Sequence, residues 1–134
     1  VERLIERVEL AQRALRSLAE LRDRTQDPVA RDAAIQRFEY SFEALWKATR
    51  AWLLEVHGID EGSPKGVIRS ALKTGILSPA EAEAALAMAD DRNLTVHICN
   101  EPLAMEIASR LWQHHDVMKA WLARLEAAAG APPR

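Results

Sequence analysis

Between Ile35 and Val56 the chain repeats one spacing. Ile35, Phe38, Phe42, Leu45, Thr49, Trp52 and Val56 fall 3-4-3-4-3-4 apart. That spacing is the seam of a long helix packed against antiparallel neighbours at a shallow angle. It predicts a helix over residues 28–57, opened by Asp27 as N-cap with Pro28 at the first helical position and stopped by Gly58. Tyr40, Trp46 and Leu54 lie off this seam, so the helix buries more than one face or meets another chain.

The remaining apolar residues have to supply the neighbours. Leu4, Val8, Ala11, Leu15 and Leu18 form one stripe of a helix expected over residues 2–24. Ser63-Pro64 opens a short helix to about Thr74, with Val67, Ile68, Ala71 and Leu72 inward and Gly75 as its stop. Ser78-Pro79-Ala80-Glu81 has the form of a capping box with proline at N1. The helix it opens is expected to reach about Val96, with a small face of Ala82, Ala85, Leu86 and Ala89. Asn100-Glu101-Pro102 breaks the pattern. Proline's restriction of its predecessor favours Glu101 over Asn100 as the next cap. The last helix is expected over residues 102–128, where Ala104, Ile107, Leu111, His114, Met118, Trp121 and Leu125 keep the same rhythm. No stretch alternates with the period of a strand. The fold class is therefore all-α: an up-and-down four-helix bundle with one additional short helix, a single domain over residues 1–128 and a disordered tail over 129–134.

Composition narrows the function. Net charge is −2 and the cations are mostly arginine, with lysine only at Lys47, Lys65, Lys73 and Lys119. This argues against a protein that coats nucleic acid generally, though not against a local basic site. The single cysteine, Cys99, allows no disulfide within the chain, so a reducing cytoplasm is the expected compartment. No apolar run approaches the ~20 residues needed to span a bilayer. Charges interrupt residues 1–21, so no cleavable signal is expected there.

Candidate chemistry gathers where the fourth helix runs out. Arg92, Asn93, Thr95 and His97 place a fixed cation, an amide, a hydroxyl and an imidazole within six residues. Guanidinium suits phosphate, and imidazole moves protons near neutral pH. The Arg-x4-His spacing alone is weak, because Arg110 and His115 repeat it. Those two, however, sit inside a helix, where residues five apart lie about 140° apart around the axis. Arg92 and His97 straddle a helix end, where unwinding or a second copy of the chain could bring both onto one phosphate. His114 falls on the apolar seam and reads as a core or interface histidine. The four tryptophans read as core, with an exposed base-stacking platform as the less favoured alternative. The sequence holds no Gly-rich phosphate loop, no nucleophile motif and no metal-spaced cysteines or histidines, so no metal or cofactor is expected.

The run Asp91-Arg-Asn-Leu-Thr-Val-His-Ile-Cys-Asn-Glu101 resembles the signature of HEPN-domain proteins. Within them the closer resemblance is to the nucleotidyltransferase substrate-binding proteins, partners of minimal nucleotidyltransferases in toxin–antitoxin pairs. The helical layout and the aromatic-rich segment from Phe38 to Lys47 share it. The resemblance implies a homodimer in which the Arg-x4-6-His motifs of two chains face one cleft and form a metal-independent endoribonuclease. The matching catalytic residues are Arg92 and His97, with Asn93 the polar residue after the arginine. It equally implies the alternative of a non-catalytic nucleotide- or substrate-binding subunit beside a separate nucleotidyltransferase. RNA or a nucleotide is then the ligand. Toxin members controlled by their partner often carry tyrosine two residues after the histidine, as the acceptor of a nucleotide. Cys99 stands there in this chain, so control by modification at that position is not expected.

Overall fold

The computed structural model describes residues 2–131. They form α1 (Glu2–Ala19), α2 (Pro28–His57), α3 (Pro64–Lys73), α4 (Pro79–Leu94) and α5 (Glu101–Ala129), with a 3-10 turn over Thr95–His97 joining the last two. This is the all-α bundle expected, four long helices and one short one. α1 packs on α2 and α5, α2 also meets α3, α4 and α5, and α4 closes on α3 and α5.

The stripes fall inside as their spacing requires. On α1, Leu4, Val8, Ala11, Leu15 and Leu18 are buried, and on α2 so is every seam position from Ile35 to Trp52. Phe38, Phe42 and Trp121 fill the centre, with the Trp121 ring edge-on to Phe42 at 6.4 Å between centroids. Thr49 is polar but belongs there. Its hydroxyl accepts a hydrogen bond from Trp121 Nε1 at 3.0 Å and donates to the Leu45 carbonyl at 2.9 Å, so both buried groups are satisfied.

Three helix starts follow their capping residues. Asp27 accepts from the Val29 amide, Ser63 from the Gly66 amide, and Ser78 and Glu81 make both bonds of the capping box. Gly58 closes α2 in the left-handed region at φ 65°, which a residue with a Cβ enters at a cost. The fourth start differs from expectation. Asn100, not Glu101, caps α5, its side chain accepting from the Leu103 amide. The Glu101 carboxylate is engaged elsewhere, by a two-bond contact from Arg31 at 2.7 and 3.1 Å.

Other departures have local causes. α1 stops at Ala19, five residues early, because the chain tightens into turns bonded three residues apart, from Leu21 to Leu18 and from Arg22 to Ala19. The turn is held where Arg22 donates to Asp116 at 2.8 Å and lies over the Trp112 ring. Val56 and Leu72 are exposed, not inward. The last turn of α2 passes the beginning of α1, whose Arg3 and Arg7 lie beside Arg50 and Leu54, so Val56 has no helix to meet. At the other end Gly130 caps α5 and Ala131 is buried, while residues 132–134 of the expected tail lie outside the described residues.

The Thr49–Trp121 bond gives the core a test. Thr49→Val keeps the volume but leaves the buried indole N–H without its acceptor, and should cost about 1–3 kcal/mol in urea denaturation. An unchanged midpoint would mean that the bond contributes nothing.

Candidate functional site

The motif stretch begins on a buried carboxylate. Asp91 sits on the inner side of α4, its side chain 9% exposed, and takes two hydrogen bonds from Arg110 of α5 at 2.8 Å each. Its Oδ2 also lies 2.7 Å from His114 Nε2. The His114 ring is stacked on Phe38, centroids 5.3 Å apart. Burial by itself pushes the Asp91 carboxyl up, but the hydrogen bonds from Arg110 and His114, with the charges beside it, outweigh burial and hold it below its usual value of 3.8. Arg110 is correspondingly raised by its bond to Asp91.

With Asp91 turned inward, Arg92 and Asn93 beside it face outward. Arg92 is half-buried and donates from Nε to Glu43 of α2 at 2.9 Å. Its outer nitrogens make no hydrogen bond among the described residues. Glu43 also lies 3.6 Å from Lys47. Thr95 is buried at the start of the 3-10 turn, its hydroxyl 2.5 Å from Glu39 Oε2 and 2.7 Å from the Arg92 carbonyl. The one hydroxyl proton goes to the Glu39 carboxylate or to that carbonyl, and the Arg92 carbonyl also accepts from the Thr95 backbone N–H, the three-residue bond at which α4 gives way to the 3-10 turn. The Arg31–Glu101 contact secures the far end of the stretch and raises Arg31 above its usual value.

Arg92 and Asn93 form one wall of a groove of about 400 Å3 between α2, α3 and α4. Lys65 and Ser63 at the beginning of α3 and Glu43 of α2 also line it, and the buried Phe42 and Ala89 give it an apolar bottom. Lys65 is held at 2.6 Å by Asp90, a pair in which both side chains are largely exposed. His97 does not share this groove. It is exposed on the 3-10 turn, and its imidazole makes no hydrogen bond among the described residues. Within one chain the structure thus brings Arg92 and Asn93 together and leaves His97 apart. Cys99 is exposed two residues further on, with its thiol free. No group of three His, Cys, Asp or Glu among the described residues could hold a metal ion. No described helix is long and apolar enough to cross a membrane.

Sequence reasoning missed Lys65, Glu43, Glu39 and the Asp91–Arg110–His114 cluster. One signal was there for the cluster. Asp91 follows Met88 by three residues on the buried side of α4, and a carboxylate in that place requires a cation from the facing helix. The contacts of Glu43 and Lys65 join segments 25–49 residues apart, and no local spacing announces them.

Residues 4–127 match the family described as nucleotidyltransferase substrate binding protein like, and the chain belongs to that family. A Thermus thermophilus protein of known crystal structure is 53% identical over 86% of this chain and 98% of its own, with a TM-score of 0.81. The same fold, at 21% identity and a TM-score of 0.76, occurs in HI0074 of Haemophilus influenzae over 89% of this chain and 98% of that one; HI0074 is described as having the fold of a substrate-binding domain of a nucleotidyltransferase. No curated protein matches the sequence.

The buried carboxylate makes stability depend on acid. Because its folded value is lowered, the contribution of Asp91 is complete above pH 3.8 and is lost as pH falls through the folded value. Asp91→Asn should remove this share of the acid limb and, at neutral pH, cost about 2–3 kcal/mol, since Arg110 and His114 lose their counter-charge. Denaturant titrations of both proteins at pH 7 and pH 3 read the two effects together. Equal differences between the two proteins at both pH values would show that folding does not lower the Asp91 carboxyl.

Proposed function

We propose that this chain is the non-catalytic nucleotide- or substrate-binding subunit that works beside a separate nucleotidyltransferase, with the groove of Arg92, Asn93 and Lys65 receiving a nucleotide. One observation carries this reading: two cations and an amide share a groove with an apolar bottom, while His97 lies outside it. Guanidinium and ammonium suit the phosphates, and the Asn93 amide can hydrogen-bond a base edge. Both cations are already partnered, Arg92 by Glu43 and Lys65 by Asp90. The exposed Lys65–Asp90 pair holds by about 1 kcal/mol or less, so a polyphosphate can displace its carboxylate, and the part-buried Arg92–Glu43 contact uses Nε and leaves the outer guanidinium nitrogens for phosphate. A chain kept in a reducing cytoplasm fits the exposed thiol of Cys99.

The second reading is a metal-independent ribonuclease toxin. It is favoured by the free, solvent-facing imidazole of His97, which is suited to take a proton from a ribose 2′-hydroxyl while Arg92 stabilises the phosphorane charge. Because His97 and Arg92 do not share a groove in one chain, this reading requires a homodimer that places His97 of one copy by Arg92 of the other.

Calorimetric titration with ATP separates the two. Arg92→Ala should weaken binding at least tenfold without lowering the melting temperature appreciably, and Glu43→Gln should strengthen it by freeing the guanidinium. If instead wild-type protein cleaves RNA in EDTA, leaves a 2′,3′-cyclic phosphate and loses this on His97→Ala, the ribonuclease reading replaces the first. Arg92→Lys should then fail too, because a point charge cannot make the planar two-bond contact.

A further inference from the structure

α1 and α2 carry a second seam that no helix of this chain covers. On α1 it runs Arg3, Arg7, Leu10, Ala14, Ser17, and on α2 Tyr40, Ala44, Lys47, Ala51, Leu54, each spaced 4-3-4-3. The two lie side by side. Ser17 and Tyr40 share a hydrogen bond of 2.9 Å at one end. Arg3 and Arg7 face Arg50 and Leu54 across a hollow of about 290 Å3 at the other. Between them Leu10, Ala14, Tyr40 and Ala44 enclose a further groove of about 460 Å3. Leu10, Tyr40 and Leu54 are 50%, 42% and 51% exposed along this line. The fourteen residue steps from Arg3 to Ser17 give the trough a length of about 21 Å. Heptad spacing with large residues at the edges and alanine between them is what receives the ridge of another helix.

We propose that this trough is a docking surface for an acidic amphipathic helix of a partner protein. Charge selects the occupant. Arg3, Arg7, Arg13, Lys47 and Arg50 rim the trough. Arg3, Arg7 and Arg13 have no ion pair among the described residues, and Arg50 lies over the Trp46 ring at 5.3 Å. Of the carboxylates, Glu43 is turned to Arg92 and Lys47, and Glu55, Asp60 and Glu61 share the hollow at the α2–α3 loop with Arg3, Arg7 and Arg50, where Glu61 accepts from the Ser70 hydroxyl at 3.0 Å. A second copy of this chain would set the same cations against themselves across a two-fold axis, which disfavours self-association here. A nucleic-acid strand would satisfy the arginines but leave the exposed Leu10 and Leu54 without apolar contact. A helix with leucines at 3-4 spacing, flanked by glutamates, satisfies both. The trough is distinct from the Arg92 groove, although Glu43 borders each, and its occupant does not depend on whether that groove binds a nucleotide.

The test uses the full chain and three probes: a stapled 16-residue helical peptide with leucines at 3-4 spacing and glutamates on both flanks, its lysine-flanked counterpart, and a 12-nucleotide single-stranded RNA. Amide chemical shifts should move on residues 3–17 and 40–54 with the glutamate peptide and not with the lysine peptide. Arg7→Glu and, separately, the more exposed Arg13→Glu should each weaken that binding at least fivefold with melting unchanged, and 0.5 M salt should weaken it further. ATP binding should be the same in both variants. The proposal is overturned if the glutamate peptide fails to bind at millimolar concentration or if both peptides bind alike. It is overturned equally if the RNA displaces the glutamate peptide from these residues, or if the same shifts appear with rising protein concentration alone, which would assign the trough to a second copy.

Discussion

An ionised carboxylate inside a helical bundle has to be compensated, and Asp91 shows how. Uncompensated, it would cost more than a small domain's margin of stability. Arg110 and His114, one turn apart on α5, compensate it from a single direction. The requirement fixes α4 against α5 in rotation and in height, since a shift of one residue would leave the charge alone. His114 is fixed in turn by its stacking on Phe38, so the cluster also joins α2. What lies next to Asp91 in the chain is therefore held firmly, and what lies next is Arg92.

From the other side α2 holds the same stretch by its polar edge. Arg31 binds Glu101, Glu39 binds Thr95 and Glu43 binds Arg92, at positions whose spacing of four and eight residues keeps them on one side of the helix. The long helix that builds the core with its seam thus positions the candidate site with the adjacent face. The segment is short, polar and partly outside regular helix, yet it has three points of attachment. A loop so attached can present a guanidinium with little entropy left to lose on binding.

The architecture was legible in the sequence because periodicity and capping are local signals. The seam from Ile35 to Trp52, the capping box at Ser78 and the stop at Gly58 each act within one or two turns. The boundary of α5 was misread for a non-local reason. Proline's effect on its neighbour favours Glu101 as cap, but Arg31, seventy residues away, takes the Glu101 carboxylate and leaves the role to Asn100. The same limit governs the candidate site. Arg92, Asn93 and His97 could be singled out by residue type, whereas the wall formed by Lys65 and the partnership of Arg92 with Glu43 exist only once α2, α3 and α4 are packed. Val56 and Leu72 continue their stripes faultlessly and are exposed, because a pattern does not record where the neighbouring helix ends.

The binding role proposed for Arg92 is tested most directly at its own side chain. The Nε–Hε correlation of Arg92 in a nitrogen-15-labelled sample reports whether the guanidinium keeps Glu43 or takes phosphate. Titration with a nucleoside triphosphate should shift that signal saturably while the His97 imidazole resonances stay in place. An unmoved Arg92 signal at saturating nucleotide would contradict the role assigned to the groove, as would a response confined to His97.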